Sequence, residues 1–198
     1  REDDGYHLLE SLMVFTQWGD RITIEPSEKE LQFSVSGPYH SVFCDDLLSC
    51  DRNSKNLIIK AVYLMADLAK RDPSISIHLE KNIPAGAGLG GGSSDAACVI
   101  NALNRMWALD LSYNELCRIG LQLGAELPVC LLSSPALVQG IGDVINPVQI
   151  VDDMVFVIVW PETSLMTQDV FKQYDRVSNN KFKSVYGFDS DVSLLQYC

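Results

Sequence analysis

Five of the seven residues from Gly86 to Gly92 are glycine, and the run stands between a strand pattern and a helix pattern. Upstream, Ile75, Ile77 and Leu79 alternate with polar residues at the period of two that a half-buried strand requires. Downstream, Ala96, Val99, Ile100, Leu103, Met106 and Trp107 recur at helical intervals. Glycine gives up more backbone entropy on folding than any other residue. A run this dense is kept where the chain must take positive φ or let a ligand approach the backbone closely. The following helix is expected to begin at Ser93 or Ser94. Its unpaired first-turn N–H groups and the positive end of its dipole then face the glycines, a setting suited to a di- or triphosphate. A glycine-rich turn kept for packing alone is the competing reading, but such turns seldom need so many glycines directly before a helix.

Spacing discriminates among phosphate loops. The Walker A pattern needs Lys and Ser or Thr straight after its final glycine, whereas Gly91 is followed by Gly92. A dinucleotide fingerprint is present in form as Gly86-x-Gly88-x-x-Gly91. The acidic residue it requires should end a second strand, yet Asp110, at about the right distance, falls between two helical stretches. The glycine loop of protein kinases leads into a hairpin strand, where this sequence supplies a helix.

Around the loop the chain reads as a folded protein of 198 residues, 47% apolar and 21% charged. The net charge of -11, with no cluster of Lys and Arg, argues against a nucleic-acid partner. An acidic protein still binds a nucleotide where backbone N–H groups and a divalent cation supply the positive charge. The longest purely apolar run, Met154 to Trp160, is far below the roughly 18 residues that span a bilayer, so no membrane partner is expected. The six cysteines form no C-x-x-C pair, and Cys98, Cys117 and Cys130 sit in apolar stretches. Most are expected to be reduced, buried thiols in a cytoplasmic protein.

Alternation at Ile22 and Ile24, and at Leu31, Phe33 and Val35, predicts two further strands. Ile58, Ala61, Val62, Met65, Leu68 and Ala69 predict an amphipathic helix that stops before Asp72-Pro73. Ser112 with Glu115 three residues on is a capping box that opens another helix, expected to end near Gly124. Gly140 and Gly142 mark a turn before an expected strand from Met154 to Val159. Residues 169–173 read weakly as helix and 177–188 as loop, with no internal repeat.

The stretch Pro84-x-Gly86-x-Gly88-Leu89-Gly90-Gly91-Gly92-Ser93-Ser94-Asp95-Ala96-Ala97 resembles the ATP-phosphate motif of the GHMP kinases. The three glycines before the serines, together with Asp4-Gly5-Tyr6-His7 and Gly124-Ala125-Glu126-Leu127-Pro128-Val129, are similar to one branch whose substrate carries cytidine diphosphate. The likeness runs from Arg1 to at least Tyr174. It implies an α+β GHMP fold, with a ribosomal-protein-like N-terminal ATP-binding lobe over residues 1–150 and the beginning of a C-terminal lobe over 151–198.

The resemblance also implies roles. Pro84, Ala85, Gly86, Ala87, Gly88, Leu89, Gly90, Gly91, Gly92, Ser93, Ser94 and Asp95 would cradle the phosphates of ATP, with the Ser94 hydroxyl near a magnesium ion or capping the helix. Asn56, Leu57 and Lys81 would lie beside the adenine, although a solvated lysine is the ordinary state of such a residue. Tyr6, His7 and Phe171 would hold the cytosine end of the substrate, by stacking and edge hydrogen bonds. Glu126 would be the catalytic carboxylate, or else a helix cap.

Family members carry Asp at that position, and the added methylene moves the carboxylate by about 1 to 1.5 Å, enough to lower the rate on the order of a hundredfold if nothing compensates. The implied reaction is phosphorylation of the 2-hydroxyl of a cytidine-diphosphate-linked methylerythritol in the non-mevalonate isoprenoid pathway, by a monomer or weak homodimer. The family's lysine-bearing first strand would precede Arg1 and its later glycine motif would follow Cys198, so the chain is expected to be cut short at both ends and weakly active or inactive.

Overall fold

The computed structural model of the chain describes residues 8–150, 154–162 and 195–196. In chain order its strands are β1 (Leu9–Met13), β2 (Arg21–Pro26), β3 (Gln32–Ser36), β4 (Ile75–Glu80), β5 (Ala136–Gly140), β6 (Val144–Gln149) and β7 (Leu195–Gln196). The helices are α1 (Asp45–Leu48), α2 (Leu57–Ala69), α3 (Gly91–Met106), α4 (Tyr113–Gly120) and α5 (Leu127–Leu132), with a short 3-10 turn at His40–Val42.

The α+β class is as expected. β2, β4 and β3 form a three-stranded sheet with β4 central, antiparallel to β2 and parallel to β3. Ile24 faces Ile77 and Ile22 faces Leu79 across the first pair, so the apolar alternation read from both strands falls on one side. A second sheet runs β1-β5-β6-β7, all antiparallel.

The main core forms where α2 and α3 cover the first sheet. Ile58, Ile59, Val62 and Met65 share one buried cluster with Ile75, Ile77 and Leu79 and with Val99, Ile100 and Leu103. Leu116, Leu127 and Leu131 extend this core to α4 and α5. A smaller cluster of Val129, Ala136 and Val138 ties α5 to the second sheet. α2 ends where Lys70 turns left-handed at φ 50° and returns its N–H to Ala66 and Asp67, just ahead of Pro73. The α4 capping box is formed as read: Ser112 Oγ accepts from the Glu115 N–H at 3.4 Å, and the Ser112 N–H donates to Glu115 Oε2 at 2.8 Å.

Several expectations are corrected. Met154–Val159 has no regular secondary structure and belongs to no ladder among the described residues, and Val155, Val157 and Val159 are 92%, 88% and 86% exposed. Alternation makes a strand only beside a pairing edge, and the free side of β6 is taken by β7 through Val148↔Gln196 and Gln149↔Leu195. α4 stops at Gly120, with turns and not helix up to Gly124. Cys98 is exposed and Cys117 and Cys130 are half-buried, all free thiols. On α3 the buried face carries Ala96, Val99, Ile100 and Leu103, which turns Cys98 away from the core. No described helix is long and apolar enough to cross a membrane.

Candidate active site

Gly86, Gly88 and Gly90 have φ of 69°, 75° and 66°, the left-handed region a residue with a Cβ enters only with strain. Gly90 is also the N-cap of α3, and no side chain caps that helix. The helix therefore begins at Gly91, ahead of the expected Ser93 or Ser94, because a backbone conformation does the capping. Ser94 is not the cap. Its N–H is bonded to Gly90 O at 2.9 Å, while the amides of Gly91, Gly92 and Ser93 are the ones an α-helix leaves unpaired. These amides and the dipole of a 16-residue helix favour an anion at the loop.

Under the loop lies a buried charge cluster. Lys81, one residue past β4, donates to Asp20 Oδ2 and, at 2.9 Å, to Asp95 Oδ2 in the first turns of α3. The side chains of Lys81, Asp20 and Asp95 are 5%, 2% and 8% exposed. Asp20 Oδ1 also accepts from the N–H groups of Asn82 at 2.6 Å and Ile83 at 2.8 Å. Burial pushes the Asp95 carboxyl up to about 7; the Lys81 ammonium opposes this and the neighbouring Asp20 reinforces it. Burial alone would lower the Lys81 ammonium, but the two carboxylates hold it above the usual lysine range. A Cβ on Gly91 would stand 3.3 Å from Lys81 Nζ and 3.5 Å from Asp20 Oδ2, so the cluster directly supports the start of α3.

Two cavities meet at the loop. One, about 790 Å³, is lined by Val42, Phe43, Leu47, Asn56, Leu57 and Trp160 as well as by the loop. The other, about 750 Å³, is lined by residues 12–22, Ser94, Cys98, Val129 and Cys130. They share Gly88, Leu89, Gly90, Asp95 and Glu126. Glu126 occupies the N-cap position of α5, yet its side chain makes no capping hydrogen bond, and Pro128 follows in the first turn. Its Oε2 lies 3.5 Å from where a Cβ on Gly90 would be, so the carboxylate stands against the loop.

Most of the residues singled out in the sequence line these cavities. Pro84 through Ser93, Asp95, Asn56, Leu57, Lys81 and Glu126 line the first, and Ser94 lines the second. The polar side chains beside the expected adenine site are engaged elsewhere. Asn56 caps α2 by accepting from the Ile58 N–H at 2.9 Å and donates to Leu47 O at 2.9 Å, and Lys81 is neither solvated nor free. Tyr6, His7 and Phe171 lie outside the described residues. Sequence reasoning missed Asp20, 61 residues from its ammonium partner, because a lone acid at a strand start carries no pattern. It also missed Trp160, which reads as the end of an apolar run.

Residues 56–134 match the GHMP kinases N terminal domain. The 4-diphosphocytidyl-2-C-methyl-D-erythritol kinase of Brucella abortus is 42% identical over 184 residues, covering 90% of this chain and 59% of that protein. A crystal structure of 4-(cytidine 5'-diphospho)-2C-methyl-D-erythritol kinase aligns with TM-score 0.60 at 36% identity, covering 74% of this chain and 48% of that one. Homoserine kinase from Cytophaga hutchinsonii, 17% identical with TM-score 0.60 over 83% of this chain and 53% of its own, shares the fold. The chain thus spans 59% of the length of the curated relative it matches.

Proposed function

We propose that this chain belongs to the GHMP kinase family and is the catalytic part of a 4-diphosphocytidyl-2-C-methyl-D-erythritol kinase. It transfers the γ-phosphoryl group of ATP to the substrate's 2-hydroxyl, yielding ADP and the 2-phosphate. Residues 1–150 act as the nucleotide-binding lobe and 151–198 as the start of a second lobe. The enzyme works as a cytoplasmic monomer or weak homodimer with no nucleic-acid or membrane partner.

The observation that carries this reading is the meeting of two cavities at Gly88–Gly90, Asp95 and Glu126. A donor and an acceptor entering from opposite sides are brought together at a carboxylate, as in-line transfer requires. The amides at the start of α3 and the left-handed glycines hold the ATP phosphates. As the 2-oxygen forms its bond to the γ-phosphorus, the bond from that phosphorus to the β,γ-bridging oxygen breaks and its electron pair leaves with ADP. The hydroxyl proton passes to the Glu126 carboxylate. No covalent enzyme intermediate is needed. Tyr6, His7 and Phe171 are assigned to the cytosine end of the acceptor.

A magnesium ion fits the donor set. The Ser94 hydroxyl makes no hydrogen bond among the described residues and lines the cavity wall, and no described cluster of three or more His, Cys, Asp or Glu competes for a cation. Magnesium commonly takes one or two protein oxygens and completes its shell with substrate phosphates and water. When bound, it neutralises charge on the β- and γ-phosphates.

The test is a phosphorylation assay offering ATP with 4-diphosphocytidyl-2-C-methyl-D-erythritol, homoserine or mevalonate, using the protein at the full length of its gene. Transfer to the cytidine-bearing alcohol alone is expected. Equal or greater kcat/KM on a plain alcohol would move the assignment to another kinase of the family, and ATP binding without ADP formation would remove the catalytic role.

A further inference from the structure

The ladder between β2 and β4 stops at Arg21↔Glu80, and the next residues outward are Asp20 and Lys81. There the chain leaves the sheet for Asn82, Ile83 and the glycine loop. On the β3 side this exit is held by backbone, with the Lys81 N–H donating to Ser36 O at 2.8 Å and the Tyr39 N–H to Lys81 O at 3.2 Å. On the β2 side the ladder has ended and side chains take over. Asn82 Nδ2 donates to Gly19 O at 3.2 Å, and Asp20 Oδ1 accepts from the N–H groups of Asn82 at 2.6 Å and Ile83 at 2.8 Å.

The far end of the loop meets the same carboxylate. Asp20 Oδ2 takes the Lys81 ammonium, which also donates at 2.9 Å to Asp95 Oδ2 on α3. A Cβ on Gly91, the first residue of α3, would stand 3.5 Å from Asp20 Oδ2. Between the two anchorages Gly86, Gly88 and Gly90 take left-handed φ. A segment so rich in glycine has little stiffness of its own, so its shape depends on how its ends are held.

The charge of Asp20 is unfavourable here. A carboxylate beside the first turn of α3 repels an anion bound there, and burial strengthens the repulsion. Removing it should tighten phosphate binding unless the geometry it maintains is worth more.

We propose that Asp20 is a positioning residue of the phosphate site, its one carboxylate tying both ends of the glycine loop and so fixing the span across which the backbone grips an anion. This rests on the reading that the loop and α3 hold the phosphates of ATP, and it adds the residue on which that grip depends. Asp20 acts through Asn82, Ile83 and Lys81 and touches no phosphate itself.

The experiment takes the protein at the full length of its gene, with Asp20→Ala and Asp20→Asn beside it, under conditions where circular dichroism shows each to be folded. Calorimetry gives the dissociation constants of ATP and of inorganic tripolyphosphate. Asp20→Ala is expected to weaken both alike, by about ten- to a hundredfold, the scale of an ångström-sized misplacement of binding groups. Asp20→Asn keeps an oxygen for the Asn82 and Ile83 amides and gives up the pairing with Lys81. It should lose less, about three- to tenfold for both ligands.

Tighter binding by Asp20→Ala overturns the proposal, since the carboxylate then acts by its charge alone. Unchanged affinities also overturn it and leave Asp20 a stabiliser of the fold. Equal losses in the two variants remove the role of the amide bonds, and a loss for ATP without one for tripolyphosphate moves the effect away from the phosphates; either result sinks the inference. Should Asp20→Ala not fold, Asp20→Asn against the unaltered protein decides: a parallel loss for both ligands supports the proposal, and tightening or no change overturns it. If the unaltered protein binds neither ligand, the nucleotide reading itself fails. If it binds both and is indifferent to Asp20, only this inference is lost.

Discussion

Lys81 carries the charge balance of the site. Its ammonium touches two buried carboxylates, one from the wall of the second cavity and one from the helix that opens at the glycine loop. A buried ion cluster adds little net stability when intact, but removing one partner leaves the others uncompensated. Lys81→Met fills a similar volume without charge and leaves Asp20 and Asp95 facing each other. Urea denaturation should show a loss on the order of 3–5 kcal/mol. A change below about 1 kcal/mol would mean that the two carboxyls readily share a proton and that the cation is dispensable to the fold. Gly37 guards the same residue from the other side. At φ 93°, a Cβ there would meet Lys81 O at 2.6 Å and Lys81 N at 2.7 Å, so only glycine lets the end of β3 lie against the residue that carries the ammonium.

At the scale of elements, α4 is the helix most openly announced in the sequence, since Ser112 and Glu115 satisfy each other's first-turn backbone. Its hydrogen bonds with Ser112 hold the Glu115 carboxyl below the usual glutamate range. A depressed folded-state value means the stabilising term is fully present above the unfolded glutamate value, near 4.3, and fades as pH falls through the lower folded value. Ser112→Ala should therefore lower stability at neutral pH. The gap between it and the parent should close in acid, as followed by thermal melts across pH 2 to 7; a gap independent of pH would assign the effect to the serine hydroxyl alone. β2, β3, β4, α2 and α3 were equally legible, because each buries one face and writes its period into the chain. The second sheet was not: β6 contains Pro147, which a pattern search reads as a break, yet the residue pairs opposite Ala136. The start of α3 was misplaced because Gly90 caps it by conformation, which no side chain advertises. The glycine loop could be found from spacing and Glu126 from the resemblance of its turn to the family's, whereas Asp20 joins the charge cluster only through contacts made by folding.

For the molecule as a whole, the central fact is that α3 presents its first turn to both cavities while α5 brings Glu126 to their junction from the opposite side. α3 is itself fixed by the core, through Ala96, Val99, Ile100 and Leu103, so the first-turn amides proposed to bind phosphate stand on a rigid support. Glu126 is exposed and makes no capping hydrogen bond, so its carboxylate is not consumed by the fold. These two features separate binding from chemistry. Glu126→Gln keeps the shape of the side chain and removes its ability to take a proton. In the protein at the full length of its gene, kcat should fall by about 10²- to 10⁴-fold, the usual worth of a positioned general base. The dissociation constant for ATP should stay within about twofold if, as proposed, the phosphates are gripped by backbone amides of the loop and α3. A fall in kcat with an unchanged binding constant marks an interaction made only during transfer. If ATP affinity changes as much as kcat, Glu126 is shaping the phosphate site. If neither moves, the proton leaves by another route and the junction of the cavities is not where transfer occurs.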